Sequence, residues 1–235
     1  METSNFIKLQ NEGLLDAMAL LCGCGLLIID HCKQKFLYVS PNIACLYGIE
    51  AEEMMGKGCK IYDEHVAGND LSMFQAINKI AIAKFESYPE HTRRDCSISY
   101  DFSFEVNGKL MMINHRIAPI ATKDNKLWLS LCFVSQSFSK ASGNIILRNT
   151  CDNSICEYNL TFHKWVHKTS VTLSDKEKHL LHLVSRGFSN SEIAEEFIKS
   201  EETVKSYRKA LKKKLGSPNL IAALLQMHSN VVFQT

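Results

Sequence analysis

"SNSEIAEEFIKSEETVKSYRKALKKKL" (189–215) decides the fold of the C-terminal part. Ser189 and Glu192 have capping-box spacing, in which each side chain satisfies an orphan N–H at a helix start. Ile193, Ala194 and Phe197 then recur at helical spacing. After the short break Lys199-Ser200, Ser200 is placed to cap a further helix. That helix carries Glu201 and Glu202 at its positive N-terminal end and lysines at its negative C-terminal end. Val204, Leu211 and Leu215, with Tyr207 or Arg208 between them, should pack inward. Lys205, Ser206, Lys209, Lys212 and Lys213 should face out.

Charge singles out the same segment. Six of the ten residues Lys205–Lys214 are Lys or Arg, while the whole chain carries a formal charge of +2. Setting those six aside leaves 21 basic residues against 25 acidic ones, so the basic character is local and suggests an anionic partner at this end. Upstream, Ser174 and Glu177 repeat the capping box, Leu180, Leu181, Leu183 and Val184 form an apolar face, and Gly187 suits a left-handed helix stop. Downstream, Gly216 ends the basic helix and Pro218 opens a fourth helix at the tolerated first-turn position. Two helices across a tight turn, the second with a basic outer face, make a helix-turn-helix that fits the DNA major groove. Charge alone fits a solvated lysine-rich helix equally well; the caps and turns favour the DNA reading.

These residues resemble the LuxR-type (GerE-type) DNA-binding domain over roughly 171–228. The resemblance rests on Leu173, Glu177, Gly187, "SNSEIA" (189–194), "TVKSY" (203–207), "KKKLG" (212–216) and Asn219. It implies a four-helix domain that dimerises through its last helix. Lys205, Ser206 and Lys209 would then face bases, and Thr203, Lys212, Lys213, Ser189 and Asn190 would complete the DNA-binding set. Tyr207 departs from the usual His, with little consequence expected.

Upstream the rhythm changes. "GLLIID" (25–30) and "KFLYVS" (35–40) read as strands around the turn "HCKQ". "PNIACLYGI" and "AEEMMG" read as short helices. Residues 69–85 read as a longer helix with Met73, Ala76, Ile77, Ile80 and Ile82 on one side. Three strands follow, "SISYDFSFEV", "LMMINHRIAPI" and "KLWLSLCFV", with Asn107-Gly108 turning the first hairpin. The expected fold class is α+β, a five-stranded antiparallel sheet with helices on one face, followed by an all-α four-helix domain. "FLYVSPNIACLYGIEAEEMMGK" resembles a PAS domain, with Phe36–Ser40, Asn42, Gly48, Glu53 and Gly56 carrying the likeness. That implies a sensory or dimerisation module, some members of which bind haem, flavin or a small metabolite.

The expected organisation is an N-terminal helix (1–17), a PAS-like sensor (18–137), a β-hairpin extension and linker (138–170) and the helix-turn-helix domain (171–235). The helix-like stretch itself is "NFIKLQNEGLLDAMALL" (5–21), with Phe6, Leu9, Leu14, Leu15 and Met18 as its apolar residues, placed to pair with its copy in a dimer or to cover the sheet. The extension reads as two strands around "NTCDNS", leading to the linker "HKTS".

No cofactor is assigned, and none is expected to be tightly bound. Cys59 follows Gly56 as the reactive cysteine does in flavin photosensor domains, but Gly58 and Asp63 stand where such sites use Asn and Gln. Haem would want a histidine on helix 69–85, which has none, leaving His65 and His115, each read as a satisfied structural residue. Met54, Met55, Met111 and Met112 read as core fillers. Cys22-x-Cys24 and Cys151-x4-Cys156 make no four-ligand zinc pattern. The nine cysteines, the absence of a signal-peptide pattern and a longest apolar stretch of 13 residues suggest a cytoplasmic protein with reduced thiols and no membrane partner. No H-E-x-x-H, G-x-S-x-G or phosphate-cradling glycine loop occurs, so an enzyme is not expected.

The functional expectation is a one-component transcription regulator: a homodimer on double-stranded DNA, with a small molecule or partner read by the PAS-like domain. The alternative is a constitutive DNA-binding protein whose PAS-like domain only dimerises or docks a partner.

Overall fold

A computed structural model describes residues 12–137, 139–152, 154–168, 173–215 and 220. The chain divides into two compact units, Met1–Thr169 and Ser170–Thr235.

The first unit is built on one antiparallel sheet. Its strands are β1 (Gly25–Asp30), β2 (Lys35–Val39), β3 (Cys96–Val106), β4 (Lys109–Lys123), β5 (Lys126–Gln136), β6 (Gly143–Asn149), β7 (Ser154–Asn159) and β8 (Lys164–Lys168). Their order is β2-β1-β5-β4-β3-β6-β7-β8. Helices α2 (Ile43–Tyr47), α3 (Ala51–Lys57), α4 (Ile61–His65) and α5 (Gly68–Glu86) connect β2 to β3. The β3–β4 hairpin turns on Asn107 (φ 51°) and Gly108 (φ 73°), the paired positive φ that matches strand twist.

The first five strands and these helices form the expected PAS-like α+β layer. The count of five strands is corrected to eight, because the extension pairs with the edge of the sheet. β6 pairs with β3 from Cys96↔Asn149 to Asp101↔Gly143. The extension also has three strands where two were expected. β8 takes in His167 and Lys168, assigned to the linker, because Cys156 and Ile155 of β7 pair with them.

The core lies between the sheet and α2–α5. Tyr47, Tyr62, Phe74, Phe102, Phe104 and Ile113 are all buried there. Each such side chain contributes roughly 1.5–3 kcal/mol on leaving water. Tyr47 stacks on Phe104 at 4.3 Å, and Phe74 meets Phe102 and Tyr62 at 4.8 Å each. On α5 the buried residues are Phe74, Ile77, Ala81 and Phe85. Of the expected stripe only Ile77 is fully buried, and Ala76 is exposed. The two phenylalanines carry the largest apolar area on the helix, and their spacing fixes its rotation. Met54 is buried, Met111 and Met112 are half-buried, and Met55 is exposed, which corrects its reading as a core filler.

Helix α1 (Glu12–Cys22) runs past residue 17, so the expected boundary falls inside it. It lies on the opposite face of the sheet from α2–α5, so helices occupy both faces. Its buried Ala19 and half-buried Leu15 and Met18 pack with Leu26, Ile28 and Tyr38. Leu14 is exposed, while Phe6 and Leu9 lie outside the described residues. The motif Ser40–Asn42 fastens the turn from α1 into β1: Asn42 Nδ2 donates to the Cys24 carbonyl (2.6 Å) and lies 3.4 Å from that of Ala19, and Ser40 Oγ both accepts from Leu26 N (2.8 Å) and donates to Asn42 Oδ1 (2.6 Å).

The second unit holds α6 (Asp175–Ser185), α7 (Asn190–Phe197) and α8 (Glu201–Leu215). Gly216 and the fourth helix expected from Pro218 lie outside the described residues, apart from Leu220, which is buried with the other three helices.

Candidate nucleic-acid interface and sensor cavity

Both expected capping boxes form. Ser174 Oγ accepts from Glu177 N while Glu177 Oε2 accepts from Ser174 N, and Ser189 and Glu192 do the same. Ser200 caps α8 by accepting from Thr203 N at 3.2 Å. Helices α6 and α7 close in the same way, with a hydrogen bond reaching back five residues: Phe188 N to the Leu183 carbonyl (3.1 Å) and Lys199 N to the Ala194 carbonyl (2.9 Å). This closure requires a left-handed residue. In α6 it is Gly187 (φ 84°); in α7 it is Ile198 (φ 52°), 88% exposed.

Ile193, Ala194, Val204 and Leu211 lock α7 and α8 onto Leu180, Leu181, Leu183 and Val184. Phe197, Tyr207 and Leu215 pack at the rim of this core. Around it, side chains fix α8. Lys214 Nζ donates to both Glu177 carboxylate oxygens (2.9 and 2.7 Å). Arg208 Nη1 donates to Asn190 Oδ1 (2.8 Å). Lys176 Nζ lies 4.0 Å from the centre of the Tyr207 ring and 2.8 Å from its hydroxyl, so Tyr207 serves as a contact between α6 and α8.

Lys205, Ser206, Lys209 and Lys213 are exposed on α8, as expected; Lys205 lies 3.3 Å from Glu202. Lys212 and Thr203 are half-buried, so the outward reading of Lys212 holds only in part. Its helical position adjoins buried Leu211. Ser189 and Asn190 sit at the N-terminus of α7 with their acceptor oxygens in use, leaving the serine O–H and the amide N–H groups to donate. Sequence reading gave the lysines of α8 but missed Arg208, Lys214 and Lys176 as the side chains that orient it.

In the first unit, a small cavity of about 30 Å³ lies between α5 and the sheet. Ala81, Phe85, Ile98 and Leu127 supply apolar walls, with Asn78 and Tyr100 as polar groups. Beside it lies a buried network that fixes a histidine. Tyr100 Oη donates to Asn78 Oδ1 (3.2 Å) and lies 3.3 Å from His115 Nδ1, while His115 Nε2 is 2.6 Å from Tyr47 Oη. The direction of the first bond makes His115 Nδ1 the donor to Tyr100 and Nε2 the acceptor from Tyr47. Burial pushes the imidazole down to about 3, so it is neutral.

The two weak cofactor candidates are poorly suited to that role. Cys59 is half-buried and its thiol is pushed up to about 11 by burial and then by Asp63 and Asp30, the reverse of a reactive thiolate. Gly58 (φ 62°) abuts the Gln34 carbonyl, which a Cβ would approach to 2.7 Å, so this turn excludes the Asn of a flavin site. His65 stacks on Phe104 at 5.4 Å. Among the described residues no group of three or more His, Cys, Asp or Glu side chains could hold a metal ion, and no helix is long and apolar enough to cross a membrane.

Residues 171–227 match the family of bacterial regulatory proteins, luxR family. The C-terminal unit is therefore a LuxR-type helix-turn-helix domain, the DNA-binding part of a regulator, and in this chain it follows a PAS-like α+β domain. No curated protein sequence matches the chain at a significant level. Among solved structures, the Vibrio cholerae VqmA dimer without target DNA is 15% identical, covering 91% of this chain and 86% of its own, with a TM-score of 0.36. A Vibrio cholerae VqmA–ligand–DNA complex is 17% identical over 90% and 86%, with a TM-score of 0.35. The PAS-B domain of Drosophila melanogaster Cycle is 12% identical over 48% of this chain and 99% of its own, with a TM-score of 0.37.

Proposed function

We propose that the protein is a one-component transcription regulator that binds DNA as a homodimer, with its PAS-like domain responding to a small ligand or partner. The observation that carries the DNA reading is the division of α8: Val204 and Leu211 are buried while Lys205, Ser206, Lys209 and Lys213 are exposed. Lys205, Ser206 and Lys209 read base edges in the major groove, where lysine donates to guanine O6 and N7. Thr203, Lys212, Lys213, Ser189 and Asn190 meet phosphates, and each neutralised phosphate releases counterions. A two-fold dimer matches two half-sites. The sensing role is supported by the resemblance of the first domain to PAS modules; the cavity beside α5, about 30 Å³, has room for little more than a water molecule and does not itself select a ligand.

Binding measured across an operator library tests the interface. Lys209→Ala or Ser206→Ala should relax discrimination at one or two base positions, by about 1–3 kcal/mol each. Lys212→Ala should weaken all sequences alike and reduce the salt slope by roughly 0.9. Specific binding left intact by all three changes would refute the docking. Native mass spectrometry of protein from its own host tests sensing: a dimer with extra mass identifies the ligand class. A ligand-free dimer with unvarying DNA affinity points to the alternative, a module that only dimerises or docks.

A further inference from the structure

The outer face of the sheet has two halves. Helix α1 covers β1, β2 and β5, where Ala19 packs with Leu26, Ile28 and Tyr38. On β3, Ile98 and Tyr100 point to the core on the other side, so Ser97 and Ser99 point outward. Arg116 of β4 is directly opposite Ser99, and Arg148 of β6 is directly opposite Ser97. The two arginines therefore flank β3 on the same face.

Both are half-buried, and among the described residues neither makes a side-chain hydrogen bond, an ion pair or a ring contact. The neighbouring acids are engaged elsewhere. Asp101 accepts from Asn114 Nδ2 (2.8 Å) and Asn144 Nδ2 (2.7 Å), and Glu157 pairs with Lys168. The thiol of Cys24, close enough to Arg116 to feel its charge, is pushed up to about 11, chiefly by burial, and supplies no anion. Burial lowers the proton affinity of both guanidiniums, and repulsion from Arg116 lowers that of Arg148 further. Half-desolvated cations placed together without an acid are costly unless something completes them.

We propose that Arg116 and Arg148, with the hydroxyls of Ser97 and Ser99 between them, form a binding site for a small oxyanion, a phosphate or carboxylate group. Guanidinium forks suit either group, since both present paired oxygens to parallel N–H donors. The site lies on the opposite face of the sheet from the cavity beside α5 and stands independently of it.

Thermal unfolding of the full chain, titrated with inorganic phosphate and separately with malonate against sodium chloride of equal ionic strength, tests the assignment. At ten times its dissociation constant the bound anion should raise the midpoint by roughly 4 °C. Arg116→Gln and Arg148→Gln should each abolish the rise. In anion-free buffer each should unfold no lower than the parent, since an uncompensated charge has gone. Arg116→Lys, which keeps the charge but loses the fork, should weaken binding at least tenfold. A response to phosphate identifies a phosphorylated ligand, and a response to malonate a carboxylate. No rise with either anion, or a rise that survives both glutamine substitutions, overturns the proposal.

Discussion

Ile198 should be a poor residue for the place it occupies, and replacing it with glycine should stabilise the second unit. The closure of α7 puts Ile198 at φ 52°, whereas the same closure of α6 uses Gly187 at φ 84°. A side chain in the left-handed region costs about 1–2 kcal/mol. Glycine brings its own entropic cost of roughly 0.5–1 kcal/mol. With Ile198 88% exposed, little packing is lost, so Ile198→Gly should gain about 0.5–1 kcal/mol. For a unit of this size that is a rise of roughly 2–8 °C in its transition, measured by differential scanning calorimetry of the full chain. Ile198→Ala removes the same apolar surface but keeps a Cβ, and should gain less. An unchanged or lower transition for Ile198→Gly, or equal gains for both variants, would refute the strain argument.

Two further outcomes concern the first unit. His115 is held neutral, with its pKa lowered from 6.5 to about 3 by burial, so below pH 6.5 the unfolded chain takes a proton that the folded one refuses. Its contribution is complete above about pH 6.5 and is lost at about 1.4 kcal/mol per pH unit on acidification towards 3. His31, pushed down to about 4, adds to the same window. Urea midpoints between pH 7 and 4.5 should fall in the parent and fall less steeply in His115→Phe; parallel slopes would count against the assignment. Gly58→Ala should destabilise the unit by about 1–3 kcal/mol, because φ 62° and ψ −147° form a glycine-only conformation and the Gln34 backbone blocks a Cβ. An unchanged urea midpoint would show that the turn relaxes freely.

The helix-turn-helix was legible because its determinants are local. Ser174 with Glu177 and Ser189 with Glu192 announce their helices within four residues, and the basic face of α8 follows from its period. The rotation of α5 was misread because the pattern weighed five medium-sized residues and passed over Phe74 and Phe85, whose size decides which side faces the sheet. The third strand of the extension escaped because "KWVHK" is short and mostly exposed, with no alternation to mark it. Its pairing depends on β7, and that of β6 on a strand some fifty residues earlier. Arg116 and Arg148 are 32 positions apart, so only the register about β3 brings them to one face.

The extension also changes which strand the protein shows to its neighbours in a crowded solution. A five-stranded sheet would end at β3, eleven residues long and bearing Tyr100, Phe102 and Phe104, an inviting template for another chain's backbone. With β6 to β8 added, the sheet ends instead on a five-residue strand with Lys164 and Lys168 at its two ends. Short, charged margins resist strand addition. Deleting 143–168 should therefore be felt first as lost solubility, before any loss of DNA binding.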